Sequence, residues 1–214
     1  MTDHLPSAIS YYLLARDRLV AAGFEREISW QKALDPQAIT ERDLLREAAW
    51  VVLCSGFREA TVRARFSQIS LCFCDWESSE EIVANAEACR RTASSVFGNG
   101  RKIAAILSTA HVIAISGFAS IKARILANPI SALLRFDYIG DITAFHLAKN
   151  LGFQVAKQDR HLARLSSRLG FCDADNLCRA LSLATGDPVN TVDLVLWRDC
   201  VLAQQSHPMA TLRQ

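Results

Sequence analysis

Apolar residues recur at intervals of three and four along nearly the whole chain, and no stretch keeps the two-residue alternation typical of a half-buried strand. Thr40, Ser78 and Asp187 each precede a helical pattern and can accept hydrogen bonds from its first turn. The predicted helices cover 7–22, 41–55, a segment from about 59, 79–95, 101–116, 119–127, 130–136, 142–151, 159–169 and 188–204. The chain is therefore predicted to be all-α.

Length and composition favour a single packed unit. The chain has 214 residues, half of them apolar, and it has neither a linker rich in proline, glycine and serine nor a repeat. The longest apolar run, 103–118, contains Ser108, Thr109 and His111, so it is too short and too polar for a membrane span. We expect it to form a buried core helix, and we expect no association with membranes.

The seven cysteines predict reduced thiols. They are Cys54, Cys72, Cys74, Cys89, Cys172, Cys178 and Cys200. Their number is odd, and the first twenty residues carry charges early and lack the apolar core of an export signal. A cytoplasmic protein with free thiols is the expectation. The two closely spaced cysteine pairs have no matching second pair, so we expect neither a metal site nor a cofactor.

The net charge of +2 hides an uneven distribution. Residues 90–168 hold twelve basic and three acidic side chains, whereas 1–89 hold nine and fourteen, and 169–214 hold three and five. A basic block in an otherwise acidic chain is typical either of a surface that binds a polyanion or of an ordinary solvated surface. Charge alone does not choose between the two.

The segment 136–170 contains the most informative pattern. A short helix ends at Phe136, a tight turn forms around Gly140, and a second helix follows. The first N–H groups of a helix have no partner within it and can hold an anion. Because this turn lies in the basic block, a phosphate of duplex DNA is the obvious candidate.

This segment resembles the helix-hairpin-helix of the base-excision DNA glycosylase superfamily (HhH-GPD), whose hairpin typically reads L-P-G-[IV]-G-x-x-T-A. The matching residues are Ile139, Gly140, Thr143 and Ala144, while Asp137 and Tyr138 stand where the family has proline and the first glycine. The resemblance implies DNA contacts at Tyr138, Gly140, Ile142 and Thr143. A bulky side chain at Gly140 is expected to strain the turn.

The resemblance also implies the catalytic residue. The family places an aspartate at the start of the next helix in a D-x-H context, and Asp159 lies there in the sequence K-Q-D-R-H. Its carboxylate would stabilise the positive charge that develops on the sugar as the N-glycosidic bond breaks, and would orient a water. Asp159 is also a predicted N-cap of the helix 159–169, and the two roles are compatible.

Strand cleavage is the point on which family members differ. Members that also cut the strand carry a lysine at the position of Ile142, and isoleucine cannot form a Schiff base. The prediction is therefore a monofunctional glycosylase that leaves an abasic site. Two alternatives stay open: a glycosylase/lyase using Lys149, Lys157 or the N-terminal amine, and a DNA-binding module without catalysis.

Other segments extend the resemblance to a two-lobed fold with a cleft between the lobes. We expect one HhH-GPD-like unit over 1–214, with lobe A at 1–38 plus 153–214, lobe B at 39–135 and the hairpin at about 130–152. Residues 46–62 look like the element that inserts a wedge into the duplex, which makes Phe57 or Arg58 the wedge. The segment 192–197 looks like the closing helix of oxoguanine-type members.

The predicted helix 159–169 is amphipathic, with leucines on one face and arginines on the other. Arg160, Arg164 and Arg168 lie four residues apart and would face DNA phosphates. We expect a monomer that binds double-stranded DNA with a modified base. The sequence does not identify that base, which could be a damaged one or a modified base of foreign, viral DNA.

Overall fold

The computed structural model describes residues 4–205, and these residues form helices, turns and loops but no strand. The predicted all-α class is confirmed. The helices are Leu5–Ala21 (α1), Glu25–Ala33 (α2), Glu41–Cys54 (α3), Glu59–Cys72 (α4), Ser79–Ala84 (α5), Ala86–Val96 (α6), Gly100–Ser116 (α7), Phe118–Ala127 (α8), Pro129–Leu133 (α9), Asp141–Asn150 (α10), Arg160–Arg168 (α11), Ala174–Thr185 (α12) and Val189–Gln205 (α13). Short 3-10 turns cover Pro36–Ala38 and Cys74–Trp76.

The chain divides into two units. Unit 1 combines Met1–Leu34 with Gly152–Gln214, and unit 2 is the continuous segment Asp35–Leu151. Unit 1 therefore draws on both ends of the chain, and it contains α1, α2 and α11 to α13. Unit 2 contains α3 to α10, including the hairpin formed by α9 and α10.

Unit 1 is built around α13, which contacts α1, α2, α11 and α12. Its core includes Tyr12, Leu19, Leu177 and Val195, all fully buried or nearly so. Burying a large apolar side chain stabilises the folded state by about 1.5 to 3 kcal/mol relative to leaving it exposed. The apolar faces of α1, α12 and α13 thus account for the association of the two chain ends.

A polar cluster around Asp187 joins α1, α2 and the start of α13. The Tyr12 hydroxyl donates to Asp187 Oδ2 at 2.7 Å, Lys32 Nζ donates to Oδ1 at 2.9 Å, and Arg16 Nη1 lies 3.2 Å from Oδ2. The prediction that Asp187 caps the last helix is wrong, because α13 begins at Val189 and the Val189 N–H donates to Gln154 Oε1. The Asp187 carboxylate serves tertiary partners instead.

Unit 2 is organised by α3 and α7. The predicted cap of α3 by Thr40 is confirmed, and it is part of a full capping box: Thr40 Oγ1 accepts from the Asp43 N–H, and Asp43 Oδ2 accepts from the Thr40 N–H. Helix α7 is the predicted core helix, with Ile103, Ile106 and Ile113 buried. No single helix among residues 4–205 has the length and apolar character of a membrane span, although α7 and α8, which meet at a bend of 102°, meet that test as a pair.

Helix α10 is tied to α3 by a buried polar contact. Asn150 Nδ2 donates to Glu47 Oε2 at 2.9 Å, and both side chains are buried. Burial raises the pKa of Glu47 above its ordinary value of 4.5, although the charge of Arg46 and the Asn150 hydrogen bond oppose that rise. The second helix of the hairpin is thus fixed to the helix that precedes loop 55–58.

The structure departs from the predicted helices in two respects. The helix expected over 79–95 is two helices, because the backbone leaves the helical conformation at Asn85, where φ is −106° and ψ is +17° and the side chain donates to the Glu81 carbonyl. Helices α2 and α12 are additional to those predicted. All seven cysteines are free thiols, as predicted.

Candidate active site and DNA-binding residues

The hairpin turn between α9 and α10 presents backbone N–H groups at the start of α10. Gly140 occupies the N-cap position, its N–H donates to Thr143 Oγ1 at 2.7 Å, and its carbonyl accepts from the Ala144 N–H at 2.8 Å. The N–H groups of Asp141 and Ile142 belong to the first turn of α10, where no carbonyl of the helix can reach them. Both residues are exposed, so these N–H groups can donate hydrogen bonds to an anion from solvent.

The conformational strain of this turn lies at Tyr138. Its φ is +66°, a left-handed conformation that costs a non-glycine residue about 1–2 kcal/mol. Gly140 has φ −102° and ψ −175°, and a Cβ added there would meet nothing within 4 Å. The expectation that a bulky side chain at Gly140 strains the turn is therefore wrong, since its backbone is extended and open.

The loop between α3 and α4 holds Phe57 and Arg58, the two predicted wedge residues. Gly56, two residues after the end of α3, has φ +75°, which allows the chain to reverse in this loop. The Phe57 side chain is 44% exposed, and its ring centroid lies 5.1 Å from that of Phe97. Arg58 is exposed at the N-cap of α4. Either residue can therefore reach a partner outside the protein.

Lys102 of α7 lies beneath this loop and was not singled out from the sequence. It is 2% exposed, and its ammonium donates to the carbonyls of Val52, Leu53 and Ser55 at the end of α3. A cation is favourable at a helix C-terminus, where the last carbonyls lack helical partners. Burial nevertheless lowers the pKa of Lys102 below its ordinary value of 10.5.

Asp159, the predicted catalytic carboxylate, lies in unit 1 at the N-cap of α11. Its Oδ1 accepts from the N–H groups of His161 at 2.9 Å and Leu162 at 3.1 Å. Its Oδ2 lies 3.6 Å from Lys157 Nζ, and 12% of the Asp159 side chain is exposed. One oxygen therefore fixes the side chain to the helix, while the other faces an ammonium group.

Helix α13 positions the segment that leads into Asp159. Asp193, which is fully buried, accepts from the Lys157 N–H at 2.7 Å, and Lys157 Nζ lies 5.9 Å from the centre of the Trp197 ring. Within α11, His161 Nδ1 shares a hydrogen bond of 3.1 Å with Gln204 Nε2. Burial lowers the pKa of His161 below 6.5 and outweighs the opposite effect of the Asp159 charge. Asp193 and Gln204, both in α13, therefore contact the residues that lie two positions before and two positions after Asp159.

The three arginines of α11 are exposed, as their spacing predicts. Leu162 and Leu165 are buried on the opposite side of the helix. The guanidinium of Arg168 lies 5.3 Å from the centre of the Tyr11 ring, so this arginine has a partner within unit 1. Arg160 and Arg164 are the members of the set best placed to meet an external anion.

Two of the twelve basic residues in the block 90–168 do not belong to the surface. Lys102 and Lys149 are 2% and 4% exposed, so the charge available to a ligand is smaller than the sequence count indicates.

Lys149 and Lys157 were also two of the amines considered for Schiff-base chemistry. The third, the N-terminal amine, lies outside the described residues. Within residues 4–205, no group of three or more potential ligands could hold a metal ion.

Comparison with known proteins identifies the fold. No family model matches the chain, and no curated protein is similar to it in sequence. A solved structure, the 8-oxoguanine DNA glycosylase of Thermotoga maritima, superposes with a TM-score of 0.62 at 20% sequence identity, covering 90% of this chain and 95% of that one. The predicted glycosylase-like, all-α fold is confirmed, and the chain has the fold of that DNA glycosylase.

Proposed function

We propose that the protein is a monofunctional DNA N-glycosylase that removes a damaged or modified base and leaves an abasic site. The observation that carries the proposal is Asp159, a carboxylate held by two backbone N–H groups at the start of α11 in a chain with a glycosylase fold. A carboxylate that is already oriented needs little rearrangement when positive charge develops on the sugar.

The reaction would proceed through an oxocarbenium-like sugar. The base leaves with the electron pair of the N-glycosidic bond, and Asp159 stabilises the cation at C1′ and orients the attacking water. The base must first leave the stack and enter a protein pocket. The hairpin N–H groups at 141 and 142 would hold a backbone phosphate, and Phe57 or Arg58 would fill the gap in the duplex.

The identity of the base is tested by a panel of duplexes. 8-Oxoguanine heads the panel, because the protein of similar fold is named for it. Alkylated purines, mismatched pyrimidines and the modified bases of viral DNA complete it. Free bases are read by mass spectrometry after incubation. We expect release from at least one of these duplexes, and release from none would contradict the proposal.

The alternative, a glycosylase that also cleaves the strand, needs an amine near the proposed catalytic carboxylate. Lys157 Nζ lies 3.6 Å from Asp159 Oδ2, so an amine stands beside the proposed catalytic carboxylate. An amine must be unprotonated to attack C1′, whereas an ion pair with a carboxylate holds it as ammonium. The contact therefore supports water as the nucleophile, and it also names the lysine to test.

The state of the product strand separates these two candidates. We expect an intact abasic strand that breaks only after alkali or heat, because Ile142 stands at the lyase position and Lys157 is paired. The measurement is denaturing electrophoresis with and without alkali, together with borohydride trapping. A trapped adduct that disappears in Lys157→Gln and persists in Lys149→Gln would establish Lys157 as the lyase amine.

The contribution of α11 to phosphate binding is measurable as salt dependence. Each side chain that neutralises a phosphate adds about one unit to the slope of log affinity against log salt. Arg164→Ala should therefore lower that slope by roughly one, weaken binding to all duplexes alike, and leave the choice of base unchanged. The measurement is duplex affinity at several salt concentrations.

Arg26 of α2 provides the control for this experiment. It is an exposed arginine in the same unit, and it lies between Glu25 and Glu27, which makes its surroundings acidic. Arg26→Ala should leave the salt slope unchanged. If Arg164→Ala behaves in the same way, the arginines of α11 form an ordinary solvated surface.

A further inference from the structure

Two exposed aromatic rings in unit 2 share one buried ammonium group. The nitrogen of Lys102 lies 5.1 Å from the ring centre of Phe57 and 5.2 Å from that of Tyr138. Each side chain is 44% exposed, so each ring keeps a large part of its surface open to a ligand. We call these two rings the aromatic pair.

The ammonium has little freedom to move. It is bound by three carbonyl groups at the end of α3, and 2% of Lys102 is exposed. A cation within about 6 Å of a ring face attracts the ring electrostatically, and the attraction is stronger where water is excluded. Lys102 thus holds a residue of loop 55–58 and a residue of the hairpin turn near one fixed point.

The Tyr138 ring is only partly packed against the protein. The residue adopts a left-handed conformation that glycine would adopt without strain, and nearly half of its side chain is in contact with solvent. A large ring kept at such a position is better explained by a ligand than by packing. The phosphate-binding N–H groups of α10 begin three residues further along the chain.

We propose that the aromatic pair stacks on an unpaired nucleobase of the bound DNA, with Lys102 as the residue that positions both rings. This inference rests on the proposed function, in which extrusion of one base leaves its former partner unpaired. Stacking suits any nucleobase, because every base has a π face. Asp137 and Asp141, the exposed residues on either side of the turn, are acidic, so attraction of phosphate by side chains is weak here. Stacking must then supply the contact.

The test uses a duplex with 2-aminopurine opposite a stable abasic-site analogue, so that the unpaired base reports its own stacking by loss of fluorescence. Wild-type protein and Tyr138→Phe should quench the fluorescence. Tyr138→Gly and Phe57→Leu should quench much less and bind this duplex about tenfold more weakly. That ratio should be the same at low and high salt, in contrast to the effect of Arg164→Ala.

Tyr138→Gly should remain folded, because glycine adopts the left-handed conformation of this position without strain. The positioning role of Lys102 is tested by a double-mutant cycle. Lys102→Met should reduce quenching, and adding Tyr138→Gly to it should cause a smaller further loss than Tyr138→Gly causes alone. Additive effects would overturn the role of Lys102.

The outcomes separate this inference from the proposed activity. Full quenching by Tyr138→Gly, or no quenching by wild-type protein, overturns the proposal that the aromatic pair stacks on a base. Full quenching by Tyr138→Gly is also the result expected if the aromatic pair binds another protein instead. If quenching depends on Tyr138 but no duplex releases a base, stacking by the aromatic pair is supported and the proposed glycosylase activity is refuted. Normal base release together with Tyr138-independent quenching does the reverse.

Discussion

Replacing Asp159 by asparagine should lower the rate of base release by about a hundredfold or more and leave duplex affinity nearly unchanged. Asparagine is as good an N-cap as aspartate, and its side-chain oxygen can still accept from the N–H groups of His161 and Leu162. Helix α11 is therefore retained, and the change removes the negative charge that would stabilise the sugar cation.

The rate is best measured in single turnovers with enzyme in excess, so that neither binding nor product release limits it. Asp173→Asn is the matched control, because Asp173 caps α12 by accepting from the Asn176 N–H and makes the same structural contribution one helix later. It should release base at the wild-type rate. Near-normal release by Asp159→Asn would remove this carboxylate from the mechanism.

Replacing Asp187 by alanine should lower the free energy of unfolding by about 2 to 4 kcal/mol. The buried Tyr12 hydroxyl loses its acceptor, which costs about 1–3 kcal/mol. The ion pairs to Arg16 and Lys32 add at most about 1 kcal/mol each, because those two side chains are 40% and 56% exposed. Urea unfolding of both proteins at neutral pH measures the difference.

Tyr12→Phe supplies the internal check on that value. In the wild-type background it should destabilise the protein, whereas in the Asp187→Ala background it should be nearly neutral, since it removes the hydroxyl that the first substitution left unpaired. Equal effects in the two backgrounds would show that the Tyr12 hydroxyl does not depend on Asp187.

The pH dependence of the same pair has a defined sign. Burial alone would raise the pKa of Asp187, but hydrogen bonds from Lys32 and Tyr12 and the nearby positive charges outweigh it and lower the pKa below 3.8. A carboxyl whose pKa is lower in the folded state stabilises the protein above its unfolded pKa and loses that effect as pH falls. The difference in the free energy of unfolding between wild type and Asp187→Ala should therefore become smaller below about pH 4.

Helices with clear apolar spacing and caps were predictable from sequence, and those without were not. Thr40 and Asp43 marked the start of α3 because a capping box needs only residues three apart. Helix α2 was not predicted, because its sequence has no apolar stripe and the residue that it buries is the polar Gln31. Contact with α13 holds this helix in place. Helix α12 was also not predicted, although its sequence contains a usable signal, an Asp173 cap followed by Leu177 and Leu181.

The candidate site was predictable where it depends on local sequence. The turn at Gly140 and the position of Asp159 at a helix start follow from spacing along the chain. Lys102 did not follow, because its partners lie about 50 residues away and a lysine beside an apolar run gives no sign of burial. The sequence also could not show that the strain would lie at Tyr138 rather than at Gly140.

The division of the chain has a consequence for its synthesis on the ribosome. Unit 2 is continuous, so it can begin to fold once residue 151 has emerged, whereas unit 1 needs α13 from the far end of the chain. Tyr12 and Asp187 are 175 residues apart. At about 5–20 residues per second, helix α1 waits roughly 10–35 s for its partner and exposes its apolar face meanwhile. A nascent chain stalled after residue 151 should therefore protect unit 2 from protease and leave α1 open to cleavage.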